Sequence, residues 1–369
     1  MRVLYIHTYY RQRGGEDIVF ENERSLMEAS GCAVDSVTFN NKKFAVFKFI
    51  LLLFNPFAFF KVCKAIDRFK PDVVHIHNWF FGASPSIFLA VRLKKIPLVH
   101  TIHNFRIICP SAVLFNEQKI YTDSITKFFP LRAIKKKVYR DSGFFTFWLL
   151  TCTRVNYIAG TWRSVDRFIC LTRSSKEIIA KSILKINSDK ISVKPNFVQS
   201  TAFVNECDRD DHFLFVGRLS EEKGVHSLLA AFANKKYRLT IIGDGPLKQT
   251  VEQFAKENRN ITYLGFQTKE NILQYMRDCS ALIVPSICYE QFGLVIIEAL
   301  SCGTPVLASD IGAPADIICE GYNGLHFNAG STYDLINKIE IWDHMPLSKK
   351  NCFYMNAINS YRKHFTATS

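Results

Sequence analysis

Short apolar runs recur along this chain, and most of them end in glycine, histidine or charged residues. Stretches with helical periodicity lie between these runs, such as the one that starts near Val225. The most strand-like segments are Met1–Ile6, Asp72–His77, Ile96–Val99, Ile191–Val193, Phe213–Val216 and Ile241–Ile242. Because runs of this length suit buried strands, the alternation predicts an α/β fold. A length of 369 residues is enough for two domains, each with its own core.

A cationic loop follows one of these runs. Phe213–Val216 leads into Gly217-Arg218-Leu219-Ser220-Glu221-Glu222-Lys223-Gly224, so that strand, loop and helix follow one another in the order of a phosphate site. Arg218 offers a forked donor and Lys223 a mobile point charge, which together can neutralise a diphosphate without a metal. A solvated turn with two incidental cations is the competing interpretation. Gly243-Asp244-Gly245-Pro246 marks another strand end, where ligands of open α/β sheets bind.

Two carboxylates bracket the segment Glu290–Glu298, which we expect to be a loop entering a helix. The first helical turn after Gly293 is apolar, so the helix is expected to be buried and Glu298 needs a partner that compensates its desolvation. A ribose diol is one candidate partner, and a core Arg or Lys is the alternative. Gly293 lets the backbone approach a ligand where unpaired N–H groups favour an anion such as a diphosphate.

These segments together resemble glycosyltransferase family 4. The matching motifs are Gly217-Arg218-Leu219, Lys223-Gly224, Gly243–Pro246, Glu290 with Glu298, Ala299–Val306, Gly321–Gly324, Gly14-Gly15, Asp72–His77 and His100–Phe105. The resemblance implies the GT-B fold, in which two Rossmann-like domains face each other across a cleft, and transfer with retention of anomeric configuration. The chain departs from the family pattern at Gln291, where Pro is common, and at Asp316, where Glu is common.

The resemblance also implies roles for individual residues. The expected catalytic residues are His103, Arg218, Lys223 and Glu290, with Glu290 holding hydroxyls of the transferred sugar. The residues expected at the nucleotide are Gly14, Gly15, Gly217, Gly243, Gly245, Phe266, Phe292, Gly293, Leu294 and Glu298. The donor is expected to be a nucleotide-diphosphate sugar of the UDP or GDP type, and neither a metal nor a cofactor is expected.

The domain boundary is predicted near Lys194-Pro195-Asn196, where a rigid proline precedes a polar stretch. Residues 1–196 would then form the acceptor-binding domain and residues 197–346 the donor-binding domain. The segment of about 347–369 is assigned to the first domain, because the last helix crosses back in the resembled fold.

Charge is distributed unevenly between these halves. Residues 1–196 carry 31 Lys and Arg against 14 Asp and Glu, whereas the remainder carries 16 against 19. The high positive charge of the first half predicts that it faces an anionic partner. Nucleic acid is a weaker candidate for this partner, because the first half contains no recognisable nucleic-acid-binding module. Lysines and arginines flank the apolar run from Phe44 to Phe60, which is too short and too interrupted to span a bilayer. We interpret this run as a peripheral contact with an anionic membrane, and an ordinary core helix is the equally weighted alternative.

Histidines supply the remaining candidate chemistry of the first half. His103 is expected at a strand end, where it can donate to a hydroxyl or to developing charge, while a loop-capping histidine is the alternative. We expect His75 and His77 to point to opposite faces of a strand, and we expect no acidic ligand near them, which argues against a metal site. Asp208-Arg209-Asp210 resembles a metal-binding Asp-x-Asp motif, but we discount it because it lies in a polar linker.

Cysteine usage and the first residues indicate the compartment. Eleven cysteines without close metal-type spacing fit reduced thiols, and the chain starts on a strand-like run without an export signal. These observations predict a cytoplasmic protein at the inner face of the membrane.

The leading hypothesis is a retaining glycosyltransferase that moves a sugar from a nucleotide donor to a lipid-linked saccharide, in surface polysaccharide biosynthesis of the O-antigen or capsule type. A nucleotide-sugar epimerase is the second hypothesis, and it would need acid and base groups around the sugar ring. The third is a catalytically silent partner of another glycosyltransferase.

Overall fold

The computed structural model describes residues 1–11, 13–41, 46–199 and 209–369. Within these ranges the chain divides into two compact units: Met1–Asn116 with Tyr121–Lys194, and Pro195–Ser369 with Glu117–Ile120. The division after Lys194 lies two residues from the predicted boundary. Lys42, Lys43, Phe44 and Asp208, which entered the sequence-based predictions, lie outside the described residues.

The first unit is built on a six-stranded parallel sheet in the order β2-β1-β3-β4-β7-β8. A separate pair of short strands, β5 and β6, lies outside this sheet. The strands of this unit are β1 Arg2–Tyr9, β2 Ala33–Asn40, β3 Val73–Ile76, β4 Leu98–Ile102, β5 Phe115–Asn116, β7 Arg167–Cys170 and β8 Ile191–Val193. The strand β6, Lys119–Ile120, lies in the segment that groups with the second unit. The helices are α1 Gly15–Ala29, α2 Val46–Ile50, α3 Pro56–Phe69, α4 Ser86–Leu93, α5 Asp123–Thr126, α6 Leu131–Lys135, α7 Gly143–Ile158 and α8 Arg173–Ala180.

The second unit has a six-stranded parallel sheet in the order β11-β10-β9-β12-β13-β14. Its strands are β9 Asp210–Val216, β10 Arg238–Ile242, β11 Ile261–Tyr263, β12 Cys279–Val284, β13 Val306–Ser309 and β14 Gly324–Phe327. Its helices are α9 Val225–Phe232, α10 Lys248–Glu257, α11 Lys269–Asp278, α12 Leu294–Ser301, α13 Gly312–Ile317, α14 Thr332–Asp343 and α15 Leu347–His364. The strand order reverses between β9 and β12, and such a switch point leaves a crevice at the carboxyl ends of the strands.

The strands differ from the apolar runs mainly at their ends. The run Ile96–Val99 predicted a strand that in the structure begins at Leu98 and extends to Ile102. Pro97 explains the shift, because it has no N–H to donate and instead accepts a hydrogen bond from Val74 N at 2.9 Å. His103 therefore follows the last strand residue directly.

The last helix, α15, belongs to the second unit, which differs from its sequence-based assignment to the first domain. Phe353 lies in the core of the second unit, edge-on to Trp342 with ring centroids 5.3 Å apart. Ser360 accepts a hydrogen bond from Asn323 at 3.0 Å, and the Tyr361 hydroxyl donates to the Val198 carbonyl at 2.9 Å. The apolar face of α15 thus completes the core around Trp342.

Two further features concern the surface and the thiols. Every cysteine within the described ranges is free, as expected for reduced thiols. Among the described residues, none of the helices combines the length and the apolar character that crossing a membrane requires.

Candidate functional site

Three strand ends of the second unit meet through their backbones. The loop after β9 begins at Gly217, whose N–H donates to Ile242 O at 3.0 Å. Gly243 has a φ of 145°, and a Cβ at this position would lie 1.9 Å from the Gly217 carbonyl oxygen. Gly224, at φ 69°, leads into α9, and its Cβ would lie 1.9 Å from Pro285 O. Only glycine lets two backbones come this close together. The three loops therefore pack against one another and form one surface at the carboxyl edge of the sheet.

Lys223 and Glu290 form a largely buried ion pair at this edge. Lys223 Nζ lies 2.7 Å from Glu290 Oε1, and the Ser286 hydroxyl donates to the same carboxylate oxygen. Burial works to lower the pKa of Lys223, but the charge of Glu290 outweighs it, so the pKa of Lys223 is raised. Sequence reasoning missed Ser286, although it is a polar residue two positions beyond the end of β12.

Gln291 is an unpartnered polar residue next to this pair. Its side chain is buried, and neither its amide nitrogen nor its amide oxygen has a hydrogen-bond partner among the described residues. An unsatisfied buried amide is costly unless something outside the protein completes its hydrogen bonds. The residue was noted in the sequence because it departs from the family pattern, yet only its burial marks it as a candidate ligand contact.

The helix α12 begins at Leu294, with Gly293 as its N-terminal cap residue. Ile296 and Ile297 are buried, whereas Leu294 and Val295 are half-buried, so the helix is less enclosed than its apolar sequence predicts. The first N–H groups of a helix lack the usual acceptor four residues earlier, so they suit an anion, although the Ile296 N–H already donates to the Gly293 carbonyl at 2.9 Å.

Glu298 has a lysine partner. Lys269 Nζ, at the start of α11, lies 3.3 Å from Glu298 Oε1. Burial raises the pKa of Glu298, and Lys269 opposes that effect. Glu298 therefore has a cationic partner, as the second interpretation of the sequence predicted. This partner is a half-exposed lysine at a helix N-terminus and not a core residue.

The remaining predicted donor residues differ in exposure. Arg218 is exposed, and its guanidinium makes no salt bridge with any described residue. Phe266 is 81% exposed, beyond the end of β11, whereas Phe292 is buried against Phe365 with ring centroids 6.2 Å apart. Gly245 follows β10 in the loop described above. Arg218 and Phe266 are thus accessible, while the Phe292 side chain is engaged in packing.

In the first unit, His103 lies beside His77 at the end of β4. Its Nε2 is 3.0 Å from His77 Nδ1, and both rings are buried. Burial lowers the pKa of His103 well below its usual range, so the imidazole is neutral near pH 7. A small cavity lies against His77, His103, Trp79 and Asn104. His103 is therefore one member of a buried histidine pair and does not cap an exposed loop.

The prediction that His75 and His77 point to opposite faces was wrong. Residues two positions apart in an extended segment share a face, and both rings approach the same carboxylate. His75 Nδ1 lies 3.9 Å and His77 Nε2 3.3 Å from Glu23 Oε2. The expectation that no acidic ligand accompanies them was wrong as well, because α1 supplies Glu23 from a distant part of the sequence.

Gly14 and Gly15 lie at the N-terminus of α1, after β1. The Gly14 N–H already donates to Asp17 Oδ2 at 2.9 Å, and Asp17 Oδ1 contacts His7 Nε2 at 2.7 Å. Glu16 accepts hydrogen bonds from Asn104 at 3.0 Å and from Tyr10 at 2.9 Å. Two carboxylates therefore occupy the first turn, and the contact of Gly14 and Gly15 with a diphosphate stays a prediction.

Among known proteins, the model of Glycosyltransferase Family 4 matches residues 2–201, and that of Glycosyl transferases group 1 matches residues 200–359. An uncharacterised glycosyltransferase of Methanocaldococcus jannaschii is 33% identical over 47% of this chain and 48% of its own length. O-antigen chain mannosyltransferase C of Escherichia coli is 27% identical over 55% of this chain and 58% of its own. The chain thus aligns with about half the length of these two relatives.

Solved structures give the same result for the fold. HepE of Anabaena, crystallised in complex with UDP, superposes on this chain with a TM-score of 0.69 and 19% identity, covering 100% of this chain and 96% of HepE. The prediction of two Rossmann-like α/β units of the GT-B type is confirmed. Since the family model spans more than half of the sequence, this chain belongs to Glycosyltransferase Family 4.

Proposed function

We propose that this glycosyltransferase moves a sugar from a nucleotide-diphosphate donor to a lipid-linked saccharide with retention of configuration. The observation that carries the donor assignment is the Lys223–Glu290 pair, which lies at the carboxyl edge of the second sheet. The donor is of the UDP or GDP type, and the UDP complex of HepE supports a nucleotide of this class. The O-antigen relative supports an acceptor in surface polysaccharide biosynthesis.

Departure of the diphosphate is the step that needs positive charge. Breaking the bond between the anomeric carbon and the phosphate oxygen leaves negative charge on the phosphates. In this proposal Lys223, Arg218 and the first N–H groups of α12 stabilise that charge, and no metal takes part. Each such preorganised donor typically lowers the barrier by about 3 kcal/mol.

The sugar and the ribose need hydrogen-bonding groups of fixed orientation. Glu290 is held by Lys223 and Ser286, so its remaining carboxylate lone pairs can accept from sugar hydroxyls. The unpartnered amide of Gln291 can donate and accept beside it. Glu298 takes the ribose diol in exchange for, or together with, Lys269.

Acceptor attack occurs on the face from which the diphosphate leaves, and a phosphate oxygen takes the acceptor proton. No protein carboxylate acts as a nucleophile in this scheme. A neutral His103 donates a hydrogen bond to a hydroxyl of the reacting sugar.

A stripe on α3 supports a membrane-bound acceptor. Phe57 is 71% and Phe60 67% exposed, and Lys61 and Lys64 continue the same helical face. The opposite face, with Val62 and Ile66, is buried, so the core-helix interpretation describes one face of α3, and we propose the membrane contact for the other face. Exposed phenylalanines beside lysines suit the interface of an anionic bilayer. We therefore propose peripheral binding to the inner face of the cytoplasmic membrane.

The helix α7 also carries exposed aromatic residues. Trp148, on α7, donates through Nε1 to Phe49 O at 2.7 Å, which fixes α7 beside the segment preceding α3. Phe144 and Phe147 on this helix are exposed as well. In this proposal, Phe144 and Phe147 of α7 join the rings of α3 in the membrane contact.

The test is an assay of purified protein with a panel of UDP- and GDP-sugars and lipid-linked saccharides. We expect transfer from one donor, and the NMR spectrum of the product should show that the anomeric configuration of the sugar is retained. A sugar nucleotide of changed stereochemistry formed without acceptor would indicate an epimerase, and nucleotide binding without turnover would indicate a silent partner. Absence of transfer and of donor hydrolysis across the panel would contradict the proposal.

A further inference from the structure

Three side chains of the first unit converge in the buried region between β3 and α1. They are Glu23 from the third turn of α1, His75 from β3 and His77 just beyond it. One carboxylate oxygen of Glu23 and one ring nitrogen each of His75 and His77 all lie within 4.8 Å of one another. We call these three residues the Glu23–His75–His77 cluster.

The two imidazoles are held so that one nitrogen of each is directed towards Glu23. His75 Nε2 is 2.7 Å from the Thr101 hydroxyl, and His77 Nδ1 is 3.0 Å from His103 Nε2. The other nitrogen of His77 is fully buried and has no hydrogen-bond partner among the described residues, although Glu23 Oε2 is only 3.3 Å away. The two atoms are therefore close without being aligned as donor and acceptor.

This arrangement matches the edge of a metal coordination sphere. With bonds of about 2.1 Å, neighbouring ligands of a tetrahedral zinc ion lie roughly 3.4 Å apart. The 3.3 Å separation of His77 Nε2 from Glu23 Oε2 meets that spacing, and the 3.9 Å separation of His75 Nδ1 exceeds it slightly. Metal-ligating histidines also use their second nitrogen to contact another polar group, as both rings do here.

We propose that Glu23, His75 and His77 form a binding site for a divalent transition-metal ion of the zinc class. The ligands are a carboxylate oxygen and two imidazole nitrogens, a donor set that suits zinc. Three protein ligands leave one position for water. Tyr5 and Phe20 pack against the rings and provide an apolar surround.

Lys194 is the cation that competes with the metal. Its ammonium contacts Glu23 Oε1, whereas the two imidazoles approach Oε2. The Lys194 side chain is 44% exposed, so its ammonium can turn into solvent when a divalent ion neutralises Glu23. Repulsion between the two cations lowers metal affinity as long as Lys194 is present.

Metal binding would also fix the protons of His103. An ion on His77 Nε2 leaves the ring proton on Nδ1, which then donates to His103 Nε2 at 3.0 Å. The proton of His103 is then confined to its Nδ1. The bound ion would thus fix the tautomer of His103 and would also link α1 to β3.

The experiment measures metal binding directly and so does not depend on the transferase activity. Chelator-stripped full-length protein is titrated with Zn²⁺ by calorimetry and with Co²⁺ by visible absorption, in which tetrahedral nitrogen and oxygen ligation gives a distinct band. We expect saturable binding by the unchanged protein and at least about tenfold weaker binding by Glu23→Gln. Replacement of the exposed His226 by Gln is the matched control and leaves affinity unchanged.

Lys194→Met provides a second variant, which retains all three ligands. Removal of the competing ammonium should strengthen Zn²⁺ binding by about tenfold or more. Circular dichroism of the stripped variants shows whether they are folded. Zn²⁺ affinity that is equal in the unchanged protein and in folded Glu23→Gln, or that is not increased by Lys194→Met, would overturn the proposal.

Discussion

At the residue scale, the donor site depends on one half-buried cation held by one largely buried carboxylate. Lys223 is positioned by Glu290. Ser286 holds the Glu290 carboxylate, and the first turn of α13 holds its backbone, where the Ala313 N–H donates to the Glu290 carbonyl at 3.1 Å. Such a pair is costly to form and more costly to break, because the remaining charge stays buried. The pair is therefore better explained as part of a binding site than as a source of stability.

Replacement of Lys223 by Met tests its role at the diphosphate. Loss of a charge that acts mainly in the transition state should lower kcat about 10²-fold or more, with a smaller change in KM. Lys248→Met removes a surface lysine that faces Glu252 in the same unit, and it serves as the control. Steady-state kinetics with the identified donor provide the measurement, and an unchanged kcat would exclude the role.

His100 makes the first unit sensitive to acid. Burial lowers its pKa to about 4, and its Nδ1 donates to Ile76 O at 2.9 Å. The unfolded chain therefore binds more protons than the folded one between about pH 6.5 and 4, so stability falls as the pH is lowered through this range, by ~3 kcal/mol for this group. Above about pH 6.5 the effect is absent.

The measurement is urea unfolding at several pH values, followed by the fluorescence of Trp162, which packs on Phe88 next to His100. His100→Asn keeps a donor for Ile76 O and removes the titrating group. Its unfolding free energy should decrease less between pH 6.5 and 4 than that of the unchanged protein. Parallel pH dependences would show that His100 does not contribute.

At the scale of elements, one face of α3 packs in the core and the other is the proposed membrane contact. Replacing both Phe57 and Phe60 by Ser should weaken binding to anionic vesicles by at least about tenfold, because each exposed ring can bury apolar area worth roughly 1.5 kcal/mol or more. Thermal stability should change little, since both rings are exposed. Vesicle co-sedimentation is the measurement.

Tyr333→Ser is the matched control for this pair, because Tyr333 is an 82% exposed aromatic residue on α14 of the second unit. It should bind vesicles as the unchanged protein does. Binding that survives the double replacement, or that neutral vesicles support equally well, would contradict a basic and aromatic contact through α3.

At the scale of the whole molecule, the grouping of α15 with the second unit makes a prediction about folding. A fragment of residues 195–369 should fold and bind UDP, whereas a fragment of residues 195–346 should not, because it leaves Trp342 without Phe353. Loss of one large core aromatic side chain typically costs about 3–5 kcal/mol. Calorimetric unfolding with and without UDP distinguishes the two fragments.

The opposite result would favour the assignment made from sequence. If residues 195–346 fold and bind UDP as well as the longer fragment does, then α15 contributes nothing essential to the second unit. A ligand present at 100 times its dissociation constant adds about 2.7 kcal/mol to the stability of the state that binds it, so a UDP-dependent shift is readily measured.

The sequence by itself determined the α/β class, the two-unit organisation and the positions of the strand ends that carry Arg218, Lys223 and Glu290. These features follow from local rules: apolar runs become strands, and glycines permit the close turns that follow them. Family motifs lie in the same turns, which is why the family could be recognised before any contact was known.

The tertiary structure alone decided which distant residues meet. Glu23 precedes His75 by some fifty positions, and nothing in the spacing links them, yet β1 and β3 are neighbours in the sheet and α1 packs beside them. Likewise Lys269 reaches Glu298, and Phe353 reaches Trp342. Such contacts depend on the packing of whole elements, since a side chain's partner is set by where its element docks and not by its neighbours in the chain.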